Sequence, residues 1–132
     1  MIKKLDITTN QRVELKDVTG LVRQAVGESG VREGVCQVYV PHTTAAVTIN
    51  EHADPDVVRD LIAGLDRIVP EGADYRHAEG NSPAHIKAAL LGTSATVFVA
   101  NGDLVLGTWQ GIFFCEFDGP RKRKLYVKVT ES

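Results

Sequence analysis

The stretch ATVFVANGDLVLGTWQGIFFCEF, residues 95–117, decides the fold class. Its first six residues, 95–100, are apolar and rich in β-branched side chains, which is typical of a strand. Asn101 and Gly102 then favour a two-residue hairpin turn, because both residue types tolerate a positive φ. Residues 103–107 and 110–117 predict two more strands. Short turns between consecutive strands indicate antiparallel pairing, since parallel strands need long crossover connections.

Similar apolar segments predict strands in the rest of the chain. They cover residues 2–9, 11–15, 34–42, 45–51 and 123–129. Because strands dominate and the late ones follow one another through short turns, we expect mainly antiparallel sheet, in a sandwich-like α+β arrangement.

Two to three helices are expected to pack on this sheet. Asp17 is the predicted cap of the first, Asp54-Pro55 of the second and Ser82-Pro83 of the third, over 83–91. Helical spacing predicts their inward-facing residues. These are Val18, Leu21, Val22, Ala25 and Val26, then Val57, Val58, Leu61, Ile62 and Leu65, then Ile86, Ala89 and Leu90. We expect residues 1–132 to form one domain.

The composition limits the possible partners and compartments. Apolar residues make up 43% of the chain, charged residues 24%, and the net charge is −2, so we expect no nucleic-acid partner. The basic run RKRK at 121–124 is typical of a solvated strand end. Cys36 and Cys115 lie in apolar runs and are interpreted as core residues in a reducing compartment, the cytoplasm. We expect no membrane span and no signal peptide.

The segment DYRHAEGNSPAHI, residues 74–86, holds two histidines. With Ser82 as the cap, His85 would lie in the first turn of a helix, where free N–H groups attract phosphate. A neutral imidazole there could bind a metal together with His77 from the preceding loop. Spacing alone leaves a polar loop with surface histidines as the alternative.

Three other segments carry polar groups suited to a ligand. His42, Thr43 and Thr44 follow a predicted strand, where hydrogen-bonding side chains suit an oxyanion, although strand propensity also explains the threonines. The block LGTWQG at 106–111 has small residues around Thr108, Trp109 and Gln110, with a tight turn as the alternative. Arg121, after an Asp-Gly turn and a proline, is a candidate phosphate anchor. His52 is the least constrained of the four histidines and is interpreted as a surface residue. No Walker loop, GxGxxG or GxSxG motif is present.

These blocks, together with SATVFVANGDLVLGTWQGI at 94–112, resemble the YjbQ-like family, whose members are also named secondary thiamine-phosphate synthase. PHTTAAVTINE, HAEGNSPAHIKAALLG and CEFDGPRKR are similar to that family's blocks in the same order, so the resemblance covers nearly the whole chain. It implies a homotrimer with a pocket where these blocks meet. It also implies a divalent metal at His77 and His85, with His42 as the next candidate ligand or substrate contact.

The family name implies that an aminopyrimidine diphosphate and a thiazole phosphate are joined, with release of pyrophosphate. His42, His77 and His85 would be the catalytic residues. The substrate-binding residues would be Thr43, Thr44, Asn81, Ser82, Thr108, Trp109, Gln110 and Arg121. Histidine ligands suit Zn²⁺ or another transition metal, whereas Mg²⁺ could accompany a diphosphate substrate. A metal-dependent hydrolase and a non-catalytic binder of a phosphorylated metabolite stay open as alternatives.

Overall fold

The computed structural model describes all residues, 1–132, and contains eight strands and three helices. The strands are Ile2–Thr8 (β1), Glu14–Asp17 (β2), Gly34–Tyr39 (β3), Ala45–Glu51 (β4), Ser94–Ala100 (β5), Asp103–Leu104 (β6), Gln110–Glu116 (β7) and Lys122–Glu131 (β8). The helices are Thr19–Ser29 (α1), Pro55–Ile68 (α2) and Ser82–Leu91 (α3). None of the three is long and apolar enough to cross a membrane.

The strands form two antiparallel sheets, which confirms the predicted α+β class. The larger sheet has the order β1-β8-β3-β5-β6, and the smaller one has the order β2-β7-β4. The predicted hairpin between β5 and β6 is also confirmed, with φ of 53° at Asn101 and 77° at Gly102. The strand after this turn is shorter than predicted, since only Asp103 and Leu104 are paired.

The main core lies between the two sheets and under α1. It joins buried residues of both sheets to Val18, Val22, Ala25 and Val26 around α1. A smaller core lies on the other face of β4 and β7, where Phe113 and Cys115 contact α3. Strand β7 is therefore covered on both faces, and its uniformly apolar sequence follows from that position.

Helix α1 begins close to the predicted residue. Asp17 accepts hydrogen bonds from the N–H and the hydroxyl of Thr19, although it lies one residue before the formal cap position, Val18. The helix continues past Gly27 and ends at Gly30, which adopts φ of 71°. The prediction for Leu21 is wrong, because this side chain is exposed at the edge of the buried stripe.

Helix α2 confirms the predicted cap, since the Asp54 side chain accepts from the N–H of Asp56, with Pro55 in the first turn. Its predicted apolar stripe faces the smaller core only partly. Val58 and Leu65 pack against that core, but no residue of the helix is fully buried.

Helix α3 differs from the prediction in two ways. Its cap position is Asn81, not Ser82, and neither side chain makes a capping hydrogen bond. The predicted inward face is also wrong: Ile86 is 39% and Leu90 58% exposed, and Ala89 is exposed as well. The buried face carries Pro83, Ala84, Lys87 and Ala88.

The reason for this orientation is steric and electrostatic. The alanines allow α3 to lie close to β4 and to pack in the same cluster as Phe113 of β7, and the buried ammonium of Lys87 is paired with Asp66 of α2. These two requirements outweigh the burial of two larger apolar side chains.

Candidate functional site

A polar cavity of about 460 Å³ lies at the end of the smaller sheet, and no hydrophobic side chain lines it. The antiparallel pair of Ala45 in β4 with Glu116 in β7 brings together the loops that precede and follow these residues. The segment before α3 closes the third side. The lining residues are Pro41, His42, Thr43, Thr44, His77, Glu79, Asn81, His85, Asp118, Arg121 and Arg123.

The cavity brings together most of the residues selected from the sequence. His42, Thr43 and Thr44 come from one loop, His77, Asn81 and His85 from the second segment, and Arg121 from the third. Ser82 does not line the cavity, and neither do Thr108, Trp109 and Gln110.

His42 is fixed by a backbone hydrogen bond. Its Nε2 atom accepts from the N–H of Lys124 at 2.9 Å, so Nδ1 carries the proton in the neutral ring. Burial lowers the pKa of His42, and the nearby positive charge of Arg123 lowers it further. At neutral pH the side chain is therefore uncharged, and Nδ1–H, which has no partner in the protein, can donate to a ligand.

His77 and His85 lie next to each other, as the sequence predicts for a ligand pair. Their ring centroids are 5.4 Å apart and the rings meet edge to face. The carboxylate of Glu79 lies 3.9 Å from Nε2 of His77, which is beyond hydrogen-bond distance. No group of three or more His, Cys, Asp or Glu side chains is close enough to hold a metal ion. One chain thus offers two imidazoles to a cation.

The beginning of α3 offers less to an anion than the sequence suggested. The N–H groups of Ala84 and His85 both donate to the carbonyl oxygen of Asn81, at 3.0 and 3.4 Å. Pro83 has no N–H, so Ser82 supplies the remaining free donor of the first turn. Anion binding at this cavity therefore depends mainly on side chains.

Arg121 is oriented by Asp118. Its Nε donates to the Asp118 carbonyl oxygen at 2.8 Å and its Nη2 to the carboxylate at 3.0 Å. The amide nitrogen of Asn81 donates to the same carboxylate oxygen at 3.0 Å, which leaves the buried Oδ1 of Asn81 without a partner. One guanidinium nitrogen, Nη1 of Arg121, remains free to bind a ligand.

A buried ion pair that sequence reasoning missed lies beneath the cavity. Arg123 donates to both carboxylate oxygens of Glu116 and to the hydroxyl of Thr44. Glu116 also accepts from the hydroxyl of Thr9 and the N–H of Asp118, and it is fully buried. The network thus supports both loops of the cavity. Its sequence signal was strand parity, since Arg123 lies on the same face of β8 as the buried Leu125 and Val127.

A second cavity, of about 540 Å³, adjoins the polar one and shares Pro41, His42, Thr43 and His85 with it. Its lining is mixed, with Tyr39, Val40, Ala88 and Ala89 as the hydrophobic members. A ligand with an anionic part and a flat ring could occupy both cavities, with His42 and His85 between its two parts.

The block around Trp109 lies at the opposite end of the smaller sheet. Strand β7 runs from Gln110 to Glu116, so about 20 Å separates this block from the cavity, at about 3.4 Å per residue. Gln110 closes a turn by accepting from the N–H of Gly107 at 2.8 Å, and Trp109 is 63% exposed. Within one chain these residues and the polar cavity cannot contact the same small molecule.

Comparison with known proteins places the chain in a family. A family model described as "UPF0047 protein YjbQ-like" matches residues 3–132. The UPF0047 protein MJ1081 of Methanocaldococcus jannaschii is 52% identical over 98% of this chain and 94% of its own length. The UPF0047 protein YugU of Bacillus subtilis is 50% identical over 98% of both.

Solved structures agree with this assignment. An uncharacterised conserved protein of the same family from Clostridium acetobutylicum has a TM-score of 0.95 and 53% identity, covering 97% of this chain and 99% of its own. A protein of unknown function from Sulfolobus solfataricus has a TM-score of 0.96 and 33% identity, covering 100% and 97%. The chain therefore belongs to the YjbQ-like UPF0047 family.

Proposed function

We propose that this protein is a small-molecule enzyme acting on phosphorylated heterocycles, of the thiamine-phosphate synthase type. In that reaction an aminopyrimidine diphosphate is joined to a thiazole phosphate and pyrophosphate is released. The observation that carries the proposal is the pair of joined cavities: one lined by polar residues apart from Pro41, the other mixed, with His42 and His85 shared between them.

The polar cavity suits the diphosphate. The free Nη1 of Arg121 is a charged donor, and Nδ1–H of His42 and the exposed hydroxyl of Thr43 are neutral ones. In the adjoining cavity the half-exposed ring of Tyr39 could contact the pyrimidine. The hydroxyl of Thr44 already accepts from Arg123, so this residue acts as a support.

The reaction requires little from the chain beyond aligning the two substrates and stabilising the negative charge of the leaving group. The thiazole nitrogen forms a bond to the methylene carbon of the pyrimidine while the C–O bond to diphosphate breaks, and the electron pair leaves with pyrophosphate. Arg121 and His42 would stabilise the charge that develops on the leaving oxygen. No activated nucleophile is needed, and both cysteines are buried thiols; burial raises the pKa of Cys36 to about 11 and that of Cys115 to about 12.

A divalent metal at His77 and His85 forms part of this proposal. Two imidazoles suit Zn²⁺ or another transition metal, with oxygen atoms of the ligand or of water completing the coordination, whereas Mg²⁺ would arrive with the diphosphate. Such a cation would supply positive charge to the leaving group. His42 does not fit as a third ligand, because its Nε2 already accepts from Lys124.

The metal proposal is tested by His77→Ala and His85→Ala. Each variant should lose bound transition metal in elemental analysis while the circular dichroism spectrum is unchanged, because neither side chain is in the core. His52→Ala is the matched histidine control and should retain the metal. Unchanged stoichiometry in either cavity variant would remove that residue from the ligand set.

A homotrimer is also part of the proposal. Thr108, Trp109 and Gln110 lie about 20 Å from the cavity along β7, so they can contribute to substrate binding only from a neighbouring subunit. Exposed apolar side chains, including Ile86 and Leu90 of α3, support an assembly that covers them. The free state of Cys36 and Cys115 supports a reducing compartment, the cytoplasm.

Product analysis tests the reaction. The purified protein is incubated with the aminopyrimidine diphosphate, with and without the thiazole phosphate, and the products are identified by mass spectrometry. The transferase is supported if thiamine phosphate forms with the parent protein and does not form with Arg121→Ala. The free pyrimidine alcohol alone would identify a hydrolase, and saturable binding without turnover would identify a binding protein.

A further inference from the structure

His52 lies at the end of the smaller sheet away from the polar cavity, and its imidazole is held in place. Its Nδ1 is 2.8 Å from Oδ2 of Asp17, and its backbone N–H donates to the carbonyl oxygen of Trp109 at 3.0 Å. The expectation of a surface residue is confirmed, but His52 is not the least constrained of the four histidines. The residue is exposed, yet both its ring and its backbone are fixed.

The ring also lies directly against the backbone of β7. A Cβ atom added to Gly111 would collide with Nδ1, Cγ and Cβ of His52. Glycine at this position thus creates the space that the imidazole occupies.

Asp17 is itself anchored through Thr19. Its second oxygen accepts from the Thr19 N–H at 2.9 Å and from the Thr19 hydroxyl at 2.6 Å. That hydroxyl is buried and accepts in turn from the N–H of Ile112 at 2.9 Å. A chain of hydrogen bonds therefore runs from β7 through Thr19 and Asp17 to the imidazole.

The carboxylate is charged at neutral pH. Partial burial would raise the pKa of Asp17, but hydrogen bonds from Thr19 and from His52 outweigh this effect and lower the pKa. A charged carboxylate keeps the proton of neutral His52 on Nδ1. The lone pair then lies on Nε2, which has no protein partner.

This arrangement is unique among the four histidines of the chain. Nε2 of His42 is occupied by a backbone N–H, and neither His77 nor His85 has a carboxylate within hydrogen-bond distance. An imidazole fixed by a carboxylate, with its other nitrogen free, is the arrangement found in general bases. The backbone of His52 is bonded to that of Trp109, whose indole is exposed and offers a surface on which a flat ring can stack.

We propose that Asp17, His52 and Trp109 form a second site, which binds a planar heterocycle carrying a ring N–H or hydroxyl group and in which His52 accepts its proton. The proton moves from the ligand to Nε2, leaving a ligand anion and an imidazolium whose Nδ1–H stays bonded to Asp17. The reverse transfer restores both partners. This site requires neither the metal nor the diphosphate of the proposed reaction.

The test uses the intact protein and two probes, uracil and 4-hydroxypyrimidine. Trp109 is the one tryptophan, so a change in fluorescence reports on a ligand at this residue. Nitrogen-15 NMR of the histidine rings identifies the protonated nitrogen of His52. We expect the Nδ1–H form in the free protein, and with at least one probe a saturable change in Trp109 emission together with a shift of the Nε2 signal.

Three variants distinguish a ligand-binding site from a contact between Asp17 and His52 that only stabilises the fold. Asp17→Asn keeps an acceptor for Thr19 but presents an N–H to His52, so the ring proton should move to Nε2 and probe affinity should fall at least tenfold. Gly111→Ala should displace the ring and have the same effect on affinity, whereas Gly72→Ala, with nothing near its added Cβ, should not. His52→Ala should abolish the NMR shift and weaken binding to the same degree.

The proposal is overturned if neither probe gives a saturable response, or if His52→Ala and Asp17→Asn bind the probes as the parent does. It is also overturned if neutral His52 carries its proton on Nε2. If Gly111→Ala does not fold, the other two variants decide. Loss of thiamine phosphate formation in His77→Ala, with probe binding intact, would show that the two sites are separate.

Discussion

Arg121 is the exposed arginine of the cavity and keeps Nη1 free, since its Nε and Nη2 are bound to Asp118, whereas Arg123 is buried and its charge is paired with Glu116. Arg121→Ala should weaken binding of pyrophosphate by about 1.5–3 kcal/mol, the range for a hydrogen bond to a charged group. We expect the lower end, because the side chain is about half exposed. Arg121→Lys should restore part of the loss, since lysine lacks the forked geometry.

Isothermal titration calorimetry with pyrophosphate measures this effect. Lys122→Ala is the matched control, because the neighbouring lysine is exposed and does not line the cavity. Equal affinity for Arg121→Ala and the parent protein would exclude Arg121 from the site.

Glu116 should matter for stability more than any exposed charge. Glu116→Gln would leave the buried guanidinium of Arg123 without its counter-charge, and breaking a buried pair from one side costs about 3–5 kcal/mol. Urea denaturation at pH 7 measures the free energy of unfolding. Glu131→Gln, which changes an exposed charge at the end of β8, is the control and should change it by less than about 0.5 kcal/mol. A loss below about 1 kcal/mol in Glu116→Gln would contradict the assigned role of the pair.

The same carboxylate makes stability depend on pH. Burial raises the pKa of Glu116, but hydrogen bonds from Arg123 and Thr9 outweigh burial, so its pKa in the folded protein lies below the ordinary value of 4.5. Because the pKa is lower in the folded protein, the ionised carboxylate stabilises the fold above pH 4.5. This stabilisation is lost as the pH falls through the folded pKa. The difference between parent and Glu116→Gln should therefore shrink below pH 4.5, and a constant difference down to pH 3 would contradict this.

Several of the cavity residues were predictable from the sequence, and the ones that were missed have a common cause. Histidines and an arginine in polar loops are conspicuous, so His42, His77, His85 and Arg121 were selected and do lie together. Arg123 was hidden within a basic run, and only its position on the same strand face as the buried Leu125 and Val127 distinguishes it from Lys122. Which buried charge is paired with which depends on contacts between strands that are distant in sequence.

At the scale of elements, removing the polar side chain at the beginning of α2 should lower stability, whereas removing the one at the beginning of α3 should have little effect. Asp54→Ala should cost about 0.5–2 kcal/mol, because this side chain accepts from the N–H of Asp56. Ser82→Ala should change the free energy of unfolding by less than about 0.5 kcal/mol, because Ser82 is the first helical residue and makes no capping bond. The assignment of Ser82 as the cap of α3 had predicted a loss of stability in this variant, and the structure removes that expectation.

Thermal or urea unfolding of the two variants gives the comparison directly. Asp60→Ala, an exposed position within α2, controls for the removal of a charge from that helix. A larger loss in Ser82→Ala than in Asp54→Ala would restore the sequence-based assignment of the cap.

The sequence predicted the existence of each helix better than the direction it faces. Start signals at Asp54 and Ser82 place α2 and α3 to within a residue. Helix α3, however, has apolar residues around most of its circumference, so periodicity does not single out one buried face. The buried face is determined by the packing of Ala84 and Ala88 against the smaller sheet and by the pairing of Lys87 with Asp66.

At the scale of the whole molecule, the exposed apolar surface leads to a prediction about assembly. We expect a homotrimer, with a mass of about 43 kDa by light scattering, three times the 14.3 kDa of one chain. Leu90→Lys should lower this mass at micromolar concentration, because a charge would replace an apolar side chain that is 58% exposed in one chain. Glu131→Lys, at the C-terminal end of β8, is the control for the added charge. A mass of one chain for the parent protein at micromolar concentration would contradict the prediction.

The overall architecture was the most predictable feature, and the order of strands the least. Antiparallel sheets follow from alternation and from short turns such as Asn101-Gly102, which are local signals. The division into a five-stranded and a three-stranded sheet depends on which distant strands pair, and no local pattern encodes that choice.

The position of β8 between β1 and β3 has a consequence for how the protein folds. Lys128 is the partner of both Ile2 and Gln37, so the centre of the larger sheet joins residues from opposite ends of the sequence. Pairings of this kind give a high relative contact order, and such topologies fold on the millisecond-to-second scale because long loops must close first. Until β8 is in place, the edges of β1 and β3 stay open to other chains, so early folding is the stage most vulnerable to aggregation.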